Sequence, residues 1–291
     1  MQNALKLPLL REKMLVVRFY KKFIIMLKKI LKRLYGLYKY RQNWQRLYRF
    51  KKMHNVKRIE AFKNLHAGKT IFCLGTGPSL LTENLSLLKD QIVIFTNSSY
   101  KAIDQIQPAK KYWFVQDQHR LKEFNEVDRG IFDASFRSFH NIYTTDFNTI
   151  SPKDVFIMPE IVYRNSPYGK YPEAIEKGDH FSDDLAKMVC MSGHSVIFSA
   201  IQLAGYMGAK RIVLLGVDMS FGNTIQQSYF DQTSEQTRFF WPLNYEKHSK
   251  GAFISFKKAF DAKGVEFINC THGTKEDVLD KMPLDQLVKQ L

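Results

Sequence analysis

The sequence predicts an α/β protein built on a doubly wound, mainly parallel sheet, and three observations carry that prediction. Short apolar runs recur along the chain, at Thr70 to Leu74, Gln91 to Thr96, Lys111 to Val115, residues 154 to 158, Arg211 to Leu215 and residues 265 to 269, with a weaker run at 140 to 144. Continuous rather than alternating hydrophobicity over that length reads as strands buried on both faces. Amphipathic segments at 80 to 89, 99 to 106, 193 to 207 and 250 to 263 are interspersed among them, as helices covering both faces of a parallel sheet would be. The third observation is a turn of small residues, Gly75-Thr76-Gly77-Pro78-Ser79, directly after the first run.

That turn is the first candidate site. The chain resumes with Leu80, Leu81, Leu85 and Leu88, so the segment reads as strand, tight turn and helix start. Glycines admit close backbone approach, Pro78 presets the first helical turn, Ser79 can cap or donate, and unpaired amides at the helix start would face a phosphate. The turn lacks the Lys-Ser/Thr of a P-loop and the third glycine of the dinucleotide fingerprint, so neither ATP nor NAD follows from it. A tight turn that binds nothing has the same sequence.

Ligands of doubly wound sheets bind at the carboxyl ends of strands, which ranks the polar residues there: Thr76, then Asn97 with Ser98, then Asp117, then Asp218. Asp117-Gln118-His119 fits a polar loop equally well, and Asp218 a cap or ion pair. Ser192-Gly193, opening the segment 193 to 207, reads either as a ligand contact or as an N-cap with a close-packed glycine. Residues 218 to 248 form too long a connection for an ordinary loop and read as a lid. This lid leads into Tyr245-Glu246-Lys247-His248-Ser249-Lys250 and a helix. His248 therefore lies near a helix N-terminus, whose positive dipole end disfavours imidazolium and keeps a neutral base available; a capping histidine of purely structural role fits the same spacing.

Charge divides the chain in two. Residues 1 to 60 carry 18 Lys or Arg against Glu12 and Glu60, a surplus that equals the formal net charge of +16 of the whole protein; the rest carries 26 charges of each sign. In the arm, Phe23 to Leu27, Ile30-Leu31 and Leu34-Tyr35 alternate with Lys21-Lys22, Lys28-Lys29 and Lys32-Arg33. The longest apolar run is five residues, against the roughly 20 that a membrane span needs. The spacing instead gives a helix with one apolar and one cationic face, suited to an anionic membrane surface where each Lys or Arg contributes about 1 kcal/mol. A helix packed on the domain or a second subunit, and nucleic-acid binding through Tyr35, Tyr38, Tyr40, Trp44, Tyr48 and Phe50, are the alternatives. No small-residue cleavage site follows the apolar stretch, as a signal peptide would require. Cys73, Cys190 and Cys270 are too few and too scattered for a disulfide framework or metal cluster, which fits a reducing cytoplasmic setting.

Taken in order, Gly75-Thr76-Gly77-Pro78-Ser79-Leu80, Asn97, Ser192-Gly193, Gly216-Val217-Asp218, Ser228-Tyr229 and His248-Ser249-Lys250 resemble the motifs of bacterial sialyltransferases of glycosyltransferase family 42, over roughly residues 69 to 272. The resemblance implies a Rossmann-like, GT-A-like variant of the fold and an inverting, metal-independent transfer of a sialic or related ulosonic acid from a CMP-activated donor to a surface glycan or lipooligosaccharide. It implies that the glycine turn and Asn97 hold the nucleotide, and that Ser192 with the Gly193 amide holds the donor carboxylate or phosphate. Tyr229 would stabilise the departing phosphate and His248 would deprotonate the acceptor hydroxyl. The family's pattern departs at Thr76, where it has Asn, at Val189, where it has Arg, and at Ser220-Phe221, where it has a second lid Tyr. The body is also similar to the broader pterin-pyrophosphokinase-like family, which shares the glycine turn, the Ser-Gly helix and the Gly-x-Asp strand end. There Asp117 would gain weight as a nucleotide or metal ligand, and Thr271-His272-Gly273 with Met282-Pro283-Leu284 resemble that family's tail. The expectation is thus a basic arm over residues 1 to 62 and a catalytic domain over 63 to 291. It needs no cofactor beyond its CMP-sugar donor, binds no nucleic acid, and lies on the inner face of the cell membrane. Homo-oligomerisation is left open.

Overall fold

Eight parallel strands lie in one sheet in the order β5-β4-β3-β2-β1-β6-β7-β8. The structure, a computed structural model, describes residues 23–31, 33–35, 38, 41, 56–116, 126–138, 153–157, 181–190, 193, 195–220 and 244–291. The strands are β1 (Thr70–Leu74), β2 (Ile92–Thr96), β3 (Lys110–Val115), β4 (Ala134–Arg137), β5 (Asp154–Phe156), β6 (Arg211–Leu215), β7 (Glu266–Asn269) and β8 (Asp280–Lys281). The expected strand at 140 to 144 lies outside the described residues. Among the described residues all seven pairings are parallel, where the sequence predicts a mainly parallel sheet.

Continuous apolar strands follow from having two cores to fill. Successive side chains of a strand point to opposite faces. Ile71, Cys73, Ile94, Tyr112, Phe114, Ile212 and Leu214 enter one core. Phe72, Leu74, Val93, Phe95, Trp113, Val115, Val213 and Leu215 enter the other. Above the first core lies α2 (Ile197–Tyr206), buried on nearly every side. Its Gln202 is tolerated there because Nε2 donates to the Cys190 and Phe198 carbonyls at 2.8 and 3.0 Å while Oε1 accepts from the Ser182 and Cys190 amides. Phe198 of α2 meets Phe253 and Phe256 of α3 (Lys250–Asp261) at ring separations of 4.7 and 5.2 Å. The second core is covered by 3₁₀ segments, by the one-turn α1 (Ile103–Ile106) and by α4 (Leu284–Val288).

Two expectations are corrected. The helix foreseen at 80 to 89 is two 3₁₀ turns, Pro78–Leu81 and Leu85–Leu88, because Thr82 turns its hydroxyl back onto the Ser79 carbonyl and Asn84 restarts the chain. The helix foreseen from residue 193 begins at Ile197, since Gly193 adopts φ +61, where its φ breaks the helix. Near the expected arm boundary, the 3₁₀ turn Val56–Phe62 packs on the sheet: Ile59 is fully buried, and Phe62 lies on Phe136 at 4.9 Å. All three cysteines are buried free thiols, and burial pushes that of Cys270 up to about 12. Among the described residues no helix is long and apolar enough to cross a membrane, and no group of three metal-ligating side chains occurs.

Candidate functional site

The sheet order reverses between β1 and β6: from β1 the chain winds one way to β2, and from β6 the other way to β7. A crevice at the carboxyl ends opens at such a switch point. The glycine turn after β1 and Gly216-Val217-Asp218 after β6 meet there. The Gly75 amide donates to the Leu215 carbonyl at 2.7 Å and the Gly77 amide to that of Gly216 at 2.8 Å. Asp218 accepts from the Ser79 amide through Oδ1 at 3.1 Å and from the Ser79 hydroxyl through Oδ2 at 2.7 Å.

This corrects the reason given for the turn. Its amides at Gly75, Gly77 and Ser79 are directed at protein acceptors, not held open for an anion, and the glycines are needed for backbone contact across the crevice. A Cβ on Gly77 would overlap the Asp218 carboxylate and lie 2.7 Å from the Gly216 carbonyl oxygen. Thr76, at the apex, and Pro78 are half-buried. Asp218 is clasped from behind by the segment after β7: Val217 donates its amide to Thr271 Oγ1 at 3.0 Å, Thr274 Oγ1 donates to the Val217 carbonyl at 2.7 Å, and the Lys275 amide donates to the Asp218 carbonyl at 2.8 Å. Burial raises the Asp218 carboxyl above its ordinary value, against the two bonds from Ser79, which lower it.

At the end of β2, Thr96 and Ser99 both donate to the Leu74 carbonyl, at 2.6 and 3.2 Å, which ties this strand end to that of β1. Asn97 adopts φ +43; its carbonyl accepts from Trp113 Nε1 at 2.7 Å and its Oδ1 from the Gln116 amide at 3.4 Å. Ser98 is 1% exposed, and among the described residues its hydroxyl has no hydrogen-bond partner. Gln116, which the sequence reading passed over, closes the β3 end by donating to Ser199 Oγ of α2 at 3.0 Å. A polar residue one position beyond an apolar run was the available signal.

The third part is the His-Ser-Lys turn. Tyr245–Ser249 form a π-helical turn that runs straight into α3, so the helical path starts before residue 250 and His248 lies within its first turns. His248 Nδ1 accepts from the Asn244 amide at 3.0 Å, so the ring's proton resides on Nε2. The Ser249 hydroxyl donates to the Gly193 carbonyl at 2.9 Å in a buried contact. Lys250 Nζ bridges Asp277 at 2.8 Å and Glu246 at 3.2 Å, and the Tyr245 hydroxyl donates to Asp277 at 2.7 Å. Those bonds hold the Asp277 carboxyl below its ordinary value. Gly193 is a glycine of necessity: besides its left-handed φ, a Cβ would lie 2.5 Å from Phe198 Cδ2. Asp277 and Lys275 belong to one segment, so the His248 turn and Asp218 are held by the same strip of chain. The structure therefore brings together the glycine turn, Asp218, Gly193 and His248 through bonded neighbours. Asp117, Ser192, Tyr229 and lid residues 221 to 243 lie outside the described residues.

These features define a doubly wound α/β protein with its candidate site at the β1/β6 switch point. The chain belongs to the family described as 6-hydroxymethylpterin diphosphokinase MptE-like, whose model matches residues 41–224. Two solved sialyltransferase structures from Campylobacter jejuni are similar in fold. One is CstII in complex with a substrate analogue, cytidine-5'-monophosphate, at 14% identity and a TM-score of 0.44 over 75% of this chain and 86% of that one. The other is the monofunctional alpha-2,3-sialyltransferase Cst-I, at 19% identity and a TM-score of 0.47 over 73% of this chain and 80% of that one. No curated protein matches the chain.

Proposed function

We propose that the chain is a glycosyltransferase that moves a sialic or related ulosonic acid from a CMP-activated donor to a glycan or glycolipid acceptor, without a metal. The observation that carries this reading is the Ser249–Gly193 bond, which anchors the turn bearing His248 on the Ser-Gly segment assigned to the donor. In this reaction the acceptor oxygen bonds to the anomeric carbon, the bond from that carbon to the phosphate oxygen breaks, and CMP leaves with the electron pair. Tyr229 and backbone donors stabilise the departing phosphate. The acceptor proton passes to His248 Nδ1 as the hydroxyl takes the place of the Asn244 amide. Asn97, Ser98 and the glycine turn border the nucleotide. The setting is cytoplasmic, at the inner face of the cell membrane.

The family description favours a second reading, an ATP- and Mg²⁺-dependent diphosphokinase acting on a hydroxymethylpterin, with Asp117 and Asp218 near the phosphates. Thermal stabilisation by CMP, CDP, UDP, ADP and ATP, each with and without Mg²⁺, separates the two, because a ligand at a hundred times its Kd adds about 2.7 kcal/mol. Stabilisation by cytidine nucleotides without metal supports the transferase. A response confined to ATP with Mg²⁺ overturns it in favour of the kinase.

A further inference from the structure

The N-terminal arm bears on neither reading of the site, and its structure points to a separate interaction. Residues 23–31 are helical, and none of their side chains is buried. At helical spacing Phe23, Leu27, Ile30 and Leu34 fall on one stripe, 45%, 45%, 47% and 56% exposed, with Ile24, Met26 and Leu31 on its flanks. Lys28 and Lys29 are exposed on the opposite side, either side of Ile25, and Arg33 is exposed on a flank beside Met26. No acid occurs between Glu12 and Glu60.

We infer that this helix lies in the interface of an anionic phospholipid bilayer, the stripe through Phe23, Leu27, Ile30 and Leu34 facing the acyl chains and Lys28, Lys29 and Arg33 the headgroups. A lipid surface satisfies both faces of the helix at once. Nucleic acid would neutralise the cations and leave the apolar stripe in water. A second copy could cover the stripe, but it would bring an arm of the same strong positive charge against the first. Among the described residues no helix is long and apolar enough to span a bilayer, and the apolar runs of the arm are at most five residues long, so the attachment inferred is peripheral and reversible. Under the transferase reading, it would hold the enzyme beside lipid-linked acceptors; the membrane contact itself stands without that reading.

The test is flotation of the full chain with vesicles of phosphatidylcholine alone and of phosphatidylcholine with phosphatidylglycerol, at low and high salt. Binding is expected only with the anionic vesicles, about tenfold weaker at high salt, and lost in Leu27→Glu and in the pair Lys28→Glu, Lys29→Glu. Both variants change exposed residues, so their thermal unfolding should match that of the parent. Equal binding to both vesicle types, no binding to either, or Leu27→Glu binding like the parent would each overturn the inference. So would a lipid-independent dimer abolished by Leu27→Glu, which assigns the stripe to a second copy, or binding to single-stranded RNA that survives Leu27→Glu while vesicle binding is absent. Nucleotide stabilisation of the body is unaffected in either outcome, so failure here is separable from failure of the transferase reading.

Discussion

Asp218 and Ser79 join the carboxyl ends of β6 and β1 by two hydrogen bonds to one carboxylate, at 3.1 and 2.7 Å. The pair closes the point at which the sheet changes direction. Because burial raises the Asp218 carboxyl above 3.8, the folded state holds its proton more firmly than the unfolded chain does. Between those two values the native state binds more protons, so stability falls as pH rises through that window and stays level above it. Asp218→Asn keeps an acceptor for the Ser79 amide and cannot ionise. Urea unfolding across a pH series should find the parent losing ground against Asp218→Asn from below pH 4 upward; a gap that is constant, or that moves the other way, refutes this.

Gly77→Ala should destabilise through the same junction. The added methyl meets both the Asp218 carboxylate and the Gly216 carbonyl, and only the first can move aside. Overpacking of this kind costs about 1–3 kcal/mol. A lowered melting temperature that Asp218→Gly only partly restores is the expected result, since the backbone oxygen remains.

At the other side of the sheet a buried cluster makes a different prediction. Arg129 and Arg137 direct Nε at the two oxygens of Asp154, at 3.5 and 3.2 Å, and the Arg137 guanidinium lies 4.5 Å above the Trp113 ring. Burial brings the Arg137 guanidinium down to about 10, against the pull of Asp154. Asp154→Ala strands charge in the core and should cost about 3–5 kcal/mol, whereas replacing Arg129 and Arg137 by Met and Asp154 by Leu together, which leaves no buried charge in the cluster, should cost much less. Chemical denaturation of the two variants decides it: an Asp154→Ala protein as stable as the parent is the contrary outcome.

Why some of this was legible in sequence and some was not is explained by the same packing. Strands β1, β2, β3, β6 and β7 face two cores, so their apolar runs are continuous and their bounds read within a residue or two. Ala-Ser-Phe-Arg of β4 carries Ser135 and Arg137 at positions an apolar residue would ordinarily hold, and Asp-Lys of β8 is too short for a pattern, so both strands were missed. At the candidate site, the small-residue motifs fall at the ends of β1 and β6, where the strand pattern places them. Spacing alone could not tell that the glycine-turn amides spend their bonds on Leu215, Gly216 and Asp218, because those partners come from a strand more than a hundred residues away. Nor does sequence indicate a tautomer; the choice at His248 follows from the Asn244 amide folding back onto Nδ1.

The His248 turn provides the last prediction, in which position and chemistry come apart. Ser249→Ala removes the donor to a buried Gly193 carbonyl and should lower stability by about 1–3 kcal/mol. His248→Ala removes a half-buried ring bonded to a solvent-side amide and should leave the melting temperature nearly unchanged. Under the transferase proposal the catalytic order is reversed. His248→Ala should abolish CMP release from a CMP-activated sugar acid in the presence of acceptor, while stabilisation by CMP persists. Ser249→Ala should retain part of the rate, with the loss in kcat rather than KM, because it loosens the base without touching the nucleotide. Measuring both readouts on both variants makes the assignment exposed to failure: a His248→Ala protein that still transfers at the parent's rate removes the residue from the mechanism, and leaves its bond to Asn244 as a cap for the turn.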